Sequence, residues 1–107
     1  MLMYKLAAMG DRESVLGFKA LGLDVFVVED VISARTTLDQ LAKGDYAIIY
    51  ITEPATEGIE SDIAKYTPAL VPAIIPIPSK SGGNGMGMKA IYNAVERAVG
   101  ADILGDK

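Results

Sequence analysis

The stretch Tyr46-Ala47-Ile48-Ile49-Tyr50-Ile51 is apolar without interruption and rich in β-branched and aromatic side chains. Such residues pack well on a pleated surface. A strand exposed to water on one face alternates apolar with polar residues, so a strand that is apolar throughout has both faces covered. This segment therefore predicts a central parallel strand with helices above and below it.

The rest of the chain falls around that strand. Upstream, Met3 to Met9 reads as a first strand, its apolar run broken mainly by Lys5. Asp11 follows as an N-cap, because a short carboxylate accepts from the free N–H groups of a first helical turn. Val15, Phe18 and Leu21 then recur at helical spacing, and Gly22 stops the helix. Asp24 to Val28 (DVFVV) is a second strand. Asp30 caps a second helix whose buried stripe is Ala34, Leu38, Leu41 and Ala42, with Gly44 just past its end. Downstream, Thr52 is placed to cap a third helix and Pro54 sits in its first turn, where a missing N–H does no harm. Ile59, Ile63 and Tyr66 are its expected stripe, and Pro68 marks its end.

Leu70 to Ile77 (LVPAIIPI) is the fourth strand. Pro72 and Pro76 lie inside it and Pro78 closes it. Proline cannot donate to a ladder, so this strand belongs at an edge. Alternating strand–helix units predict an open α/β sheet, wound on both faces through right-handed crossovers. The expected order is 2-1-3-4, four strands all parallel, in a Rossmann-like or receiver-like arrangement. Residues 1–78 form the sheet core, 79–87 a Gly-rich loop, and 88–107 a C-terminal helix and tail, all within one domain.

Composition narrows the chemistry. The chain has 107 residues, half of them apolar, enough for one modest core. No run approaches the roughly 20 apolar residues of a membrane span. The start, Met1-Leu2-Met3-Tyr4-Lys5, lacks the basic and apolar regions of a signal peptide, so a cytoplasmic setting is expected. The 10 basic residues are scattered singly against 14 acidic ones, which gives a net charge of −4 and argues against nucleic acid as a partner. There is no Cys and no His. That removes thiolate chemistry, zinc–sulfur sites and the usual base near neutral pH.

Ligands of such sheets bind beyond the carboxyl ends of the strands. Here those ends carry Gly10-Asp11-Arg12-Glu13, Glu29-Asp30, Thr52-Glu53 and Ser79-Lys80. A phosphorylated receiver would use Asp11 and Lys80, but Thr52-Glu53 stands where its acceptor Asp is required. Gly85-Met86-Gly87-Met88-Lys89-Ala90 matches the G-x-G-x-x-A string of dinucleotide sites, yet no acidic residue follows at the end of another strand. Glu13, Asp30 and Glu53 could meet as an acid and a base, although solvated caps explain them as well. A small phosphate- or ligand-sensing switch stays open as the alternative reading of this edge.

The last helix is more informative. Met88, Ile91, Tyr92, Val95, Ala98 and Val99 make a broad apolar face, and Ala90 and Ala94 extend it around the cylinder. A surface helix usually has one apolar stripe and one polar face. This helix is therefore expected to be covered by its own sheet and by a second body. Alanine's high helix propensity is the plainer explanation of the small residues.

Several segments in this order resemble the F subunit of the rotary V-type and archaeal-type (A-type) ATPases and ATP synthases. They are Met9-Gly10-Asp11, Val15-Leu16-Gly17-Phe18, Ala20-Leu21-Gly22, Tyr46 through Glu53, Leu70 through Pro78, and Val95 through Leu104. The loop from Ser81 to Gly87 resembles the bacterial branch. The resemblance implies a compact α/β domain in the central rotor stalk of a proton- or sodium-translocating complex. It implies binding to the antiparallel coiled coil of the D subunit, rotation inside the ring of A and B subunits, and torque passed to the membrane ring through a socket subunit. ATP chemistry would lie in the A subunits, leaving this chain without catalytic residues, cofactor or metal. The chain would be peripheral to the membrane. The expected contact residues are Met88, Ile91, Tyr92, Val95, Val99, Ile103 and Leu104. On this view, an aspartate at Tyr92 or Val95 weakens assembly while the isolated domain stays folded.

Overall fold

The computed structural model describes residues 5–69, 71–79 and 90–97. Strands β1 (Lys5–Gly10), β2 (Asp24–Val27), β3 (Tyr46–Thr52) and β4 (Ala73–Ile77) alternate with helices. These are α1 (Arg12–Lys19), α2 (Val31–Ala42), α3 (Glu53–Thr56) and α4 (Glu60–Tyr66). Residues 90–97 are helical and are termed α5. The four strands form one sheet in the order β2-β1-β3-β4. Every pairing in it is parallel. This is the expected topology.

The inner position of β3 follows from its composition, and the edge position of β4 follows from its prolines. Ile49 and Ile51 are fully buried in β3. Pro76 lies opposite Ile51 in the β3–β4 ladder. An edge strand needs donors on one side only, so a proline is tolerated there. Side chains of consecutive strand residues point to opposite faces, and β1 shows the consequence. Ala7 and Met9 enter one core with Ala34, Leu38, Leu41 and Ile59, under α2, α3 and α4. Ala8 enters the other with Val15, Phe18, Tyr50, Ile77 and Val95, under α1 and α5.

The caps form largely as their residues predict. Asp11 Oδ2 accepts from the Ser14 backbone N–H at 3.1 Å and from its hydroxyl at 2.9 Å. Asp30 and Ser33 form a reciprocal capping box at the start of α2. Gly22, at φ 94°, turns the chain out of α1 into β2.

The third helix differs from its expected form. It is two short helices, because Glu57 is extended and Gly58 adopts φ 87°, a conformation that ends a helix. Ile59, fully buried, then starts α4 from its N-cap position. Thr52 occupies the N-cap position of α3, but its hydroxyl makes no capping bond. β4 begins at Ala73, three positions after the expected Leu70, with the cis peptide Val71–Pro72 just before it. In the loop 79–87, only Ser79 lies within the described residues, and Ser79 is buried.

Candidate interaction surfaces

Two surfaces carry the sequence-based expectations: α5, and the cleft at the carboxyl ends of the strands. On α5, Ile91, Tyr92 and Val95 turn inward to the domain's own sheet. Val95 is 2% exposed and belongs to the core of Phe18, Tyr50 and Ile77, while Ile91 and Tyr92 pack against that core. The Tyr92 ring meets Phe18 edge-on, with centroids 4.7 Å apart, and Phe18 stacks in turn on Tyr50 at 5.9 Å. The Tyr92 hydroxyl donates to the Ser14 carbonyl oxygen at 2.7 Å. Burial, and then the Asp11 charge, push this phenol's pKa up.

Gly17 makes this seat. A Cβ at position 17 would stand 2.5 Å from the Tyr92 ring, so α1 carries a notch where a side chain would otherwise be. The notch was not legible in the sequence, where Gly17 reads only as a weak helix former. Tyr92 and Val95 therefore hold the domain together, and an aspartate at Val95 attacks the fold before it attacks any partner. The expectation that such a variant stays folded is corrected on this ground. Met88, Val99, Ile103 and Leu104 lie outside the described residues. The outward side of α5 carries Ala90, Asn93, Ala94, Glu96 and Arg97, all exposed. Ala90, Ala94 and Arg97 follow one another at i, i+4 and i+7, along one stripe.

The strand-tip cleft has a volume of about 520 Å³. Its apolar lining comes from Val28, Val31, Ala34, Pro54 and Ala55, joined by Thr52. Around it stand the carboxylates of Asp11, Glu29, Asp30 and Glu57, with the guanidinium of Arg12. The Asp30 carboxyl is held below its ordinary pKa by hydrogen bonds from Ser33, the backbone N–H first. Asp11 and Asp30 already occupy the N-terminal turns of α1 and α2, and the remaining charges, Glu29, Glu57 and Arg12, supply no net positive charge for phosphate. Of Glu13, Asp30 and Glu53, only Asp30 lines the cleft, so the structure does not bring the three together. No group of three or more acidic residues is placed to hold a metal ion among the described residues. Lys80 and the string from Gly85 to Lys89 lie outside them. The receiver reading gains no support, because Asp11 is engaged as a helix cap and Thr52-Glu53 occupies the acceptor position.

No helix among the described residues is long and apolar enough to cross a membrane. Residues 6–95 match the family described as ATP synthase (F/14-kDa) subunit. The chain is 48% identical over 100 residues to the V-type ATP synthase F subunit of Clostridium botulinum strain Eklund 17B, an alignment that covers 94% of this chain and 97% of that one. It is 45% identical over 103 residues to the V-type ATP synthase F subunit of Fusobacterium nucleatum, covering 96% and 98%. It is 34% identical over 101 residues to the A-type ATP synthase F subunit of Methanosphaera stadtmanae, covering 92% and 95%.

Proposed function

The chain belongs to the ATP synthase (F/14-kDa) subunit family, and from that membership we propose that it is a non-catalytic subunit of the central stalk in a V/A-type rotary ATPase. It grips the coiled-coil D subunit, turns with it inside the A/B ring, and works beside the socket subunit that connects the stalk to the membrane. ATP hydrolysis or synthesis takes place in the ring, and this chain helps couple it to ion movement.

The observation that carries the reading is the division of α5 into two sides. Its inward residues, Ile91, Tyr92 and Val95, are spent on the domain's own core. Its outward stripe of Ala90, Ala94 and Arg97 is exposed, and two of its three residues are small. Small residues let a second helix approach closely, and a helix seated firmly on a four-stranded sheet is a stiff handle for torque. Met88, Val99, Ile103 and Leu104 remain candidates for the same contact.

The test is Ala94→Arg, an exposed change that costs the domain little. It lowers affinity for the D subunit by about tenfold, or about 1.4 kcal/mol, with the melting of the isolated chain unchanged. Pull-down and titration against the purified D subunit read this directly. Wild-type affinity in the variant would move the contact off this stripe.

A further inference from the structure

The two edges of the sheet are unlike. β2 contains no proline, whereas β4 holds Pro76 and follows directly on Pro72. A proline has no N–H, so the β4 edge is a poor template for a further strand. The same edge nevertheless shows an aliphatic side chain to solvent. Ile75 pairs with Tyr50 of β3 and shares its face with Ile77. That is the face covered by α1 and α5. Ile75 is still 38% exposed.

The rotation of α5 about its axis accounts for what lies beside Ile75. Tyr92 points sideways at α1, filling the Gly17 notch and reaching the Ser14 carbonyl. α1 packs over β1 and β2, and β4 lies on the far side of β3. Successive residues of a helix are turned by about 100°. Ala90 and Ala94, each two places from Tyr92, therefore project to the opposite flank, the side of β4. Both are exposed, while Ile91 packs against the core beside them. Ala90, Ala94 and Ile75 thus make a single shoulder, small on the helix and aliphatic on the strand. The exposed Arg97 continues it one turn beyond Ala94.

We propose that this shoulder seats one α-helix of the coiled-coil partner, which lies along α5 and reaches across to Ile75. The inference rests on the stalk reading above and specifies where its contact runs. The alanines leave room for large aliphatic side chains of the incoming helix, and Ile75 supplies the apolar wall on its other side. The prolines of β4 withhold the donors that an added strand would need, so the partner engages through side chains. An acidic residue on that helix, facing Arg97, sets its register at the rim.

The chain has no cysteine, so Ile75→Cys and Ala94→Cys each place a single thiol. Each is labelled with a benzophenone maleimide and irradiated in the complex with the purified D subunit. Both labels crosslink to the same helix of that subunit, within about two turns of each other. In parallel, Ile75→Lys keeps an aliphatic stem on the strand and sends its charge to water. The isolated variant melts as wild type does, and its affinity for the D subunit falls about fivefold. Ile75→Met keeps wild-type affinity.

The shoulder is overturned, and the α5 contact left standing, when Ala94→Cys reaches the D subunit but Ile75→Cys links to nothing, to residues 98–107 of its own chain, or to a second copy. Wild-type affinity in Ile75→Lys overturns it too. Should that variant melt early, the crosslinks decide by themselves. If neither label reaches the D subunit, the α5 contact falls together with the shoulder.

Discussion

α2, α3 and α4 cover one face of the sheet with consecutive stretches of chain, whereas the other face is covered by α1 and by α5, which returns from much later in the sequence. The first face is tied across its helices by polar bridges. The Arg35 side chain donates to Asp62 at 3.0 Å and to the Gly58 carbonyl at 3.2 Å, and the Tyr66 hydroxyl donates to Asp39 at 2.8 Å. The second face is closed by aromatic and aliphatic packing, with the Tyr92–Ser14 hydrogen bond between α5 and α1. α1 alone is only eight residues long and turns Leu16 outward, so without α5 much of Phe18, Tyr50 and Ile77 would lose its cover. An apolar helix is thus not by itself the mark of a partner. Most of the apolar excess of α5 serves its own sheet, and among its described apolar residues only Ala90 and Ala94 are exposed.

The severest way to break this contrast is Val95→Asp. A carboxylate would then be buried with no partner, a change that costs about 3 kcal/mol or more. Denaturant unfolding measures the loss. Amide exchange locates it: protection falls in α5, at Phe18 and at Tyr50, while α2 and α4 keep theirs. Uniform loss across the sheet would mean that the two faces form a single cooperative unit. Gly17→Ala has a smaller effect with a more telling sign. In most exposed helices this change stabilises by up to about 1 kcal/mol. Here the new methyl collides with Tyr92, so the variant is destabilised by about 1–2 kcal/mol. In a Tyr92→Ala background the notch is empty and the same substitution reverts to stabilising. Unfolding curves of the four chains of this cycle settle it, and an unchanged sign would show that Tyr92 does not need the notch.

Period, caps and breakers made most of the fold legible. The unbroken apolar run of β3, the prolines of β4, and Asp11 and Asp30 before their helices carried enough to order the strands. The split between α3 and α4 was signalled by Glu57-Gly58, but a glycine within an apolar period does not announce whether the helix tolerates it or ends there. The packing of α5 was half legible. Periodicity named Ile91, Tyr92 and Val95 as one face, and nothing in a linear pattern says whether that face meets its own sheet or a neighbour. The Gly17 notch depends on Tyr92, far along the chain, so no local signal could reveal it. The acidic rim of the cleft was visible as residues, whereas its apolar walls and the unpartnered hydroxyl of Thr52 are products of assembly.

The smallest expected effect tests the polar seam of the first face. The Asp62 carboxyl lies below its ordinary value of 3.8, chiefly through the hydrogen bond from Arg35, with burial opposing and Lys65 assisting. A carboxylate whose pKa is lower in the folded chain favours folding above its unfolded pKa, and that contribution is lost as pH falls through the folded value. Arg35→Gln removes the guanidinium. Wild type and variant should therefore differ in stability near neutral pH and converge in acid, once Asp62 is protonated in both. The gap is small, because Arg35 is half exposed and Lys65 stays within 3.5 Å of Asp62. Tyr92→Phe is the control from the other face. It loses the bond to Ser14, about 1 kcal/mol, and neither partner in that bond ionises in acid, so its deficit stays level over the same range. Unfolding free energies of the three chains from neutral pH into acid distinguish the two seams. A gap for Arg35→Gln that persists unchanged in acid would mean that Arg35 holds α2 to α4 through its bond to the Gly58 carbonyl rather than through charge.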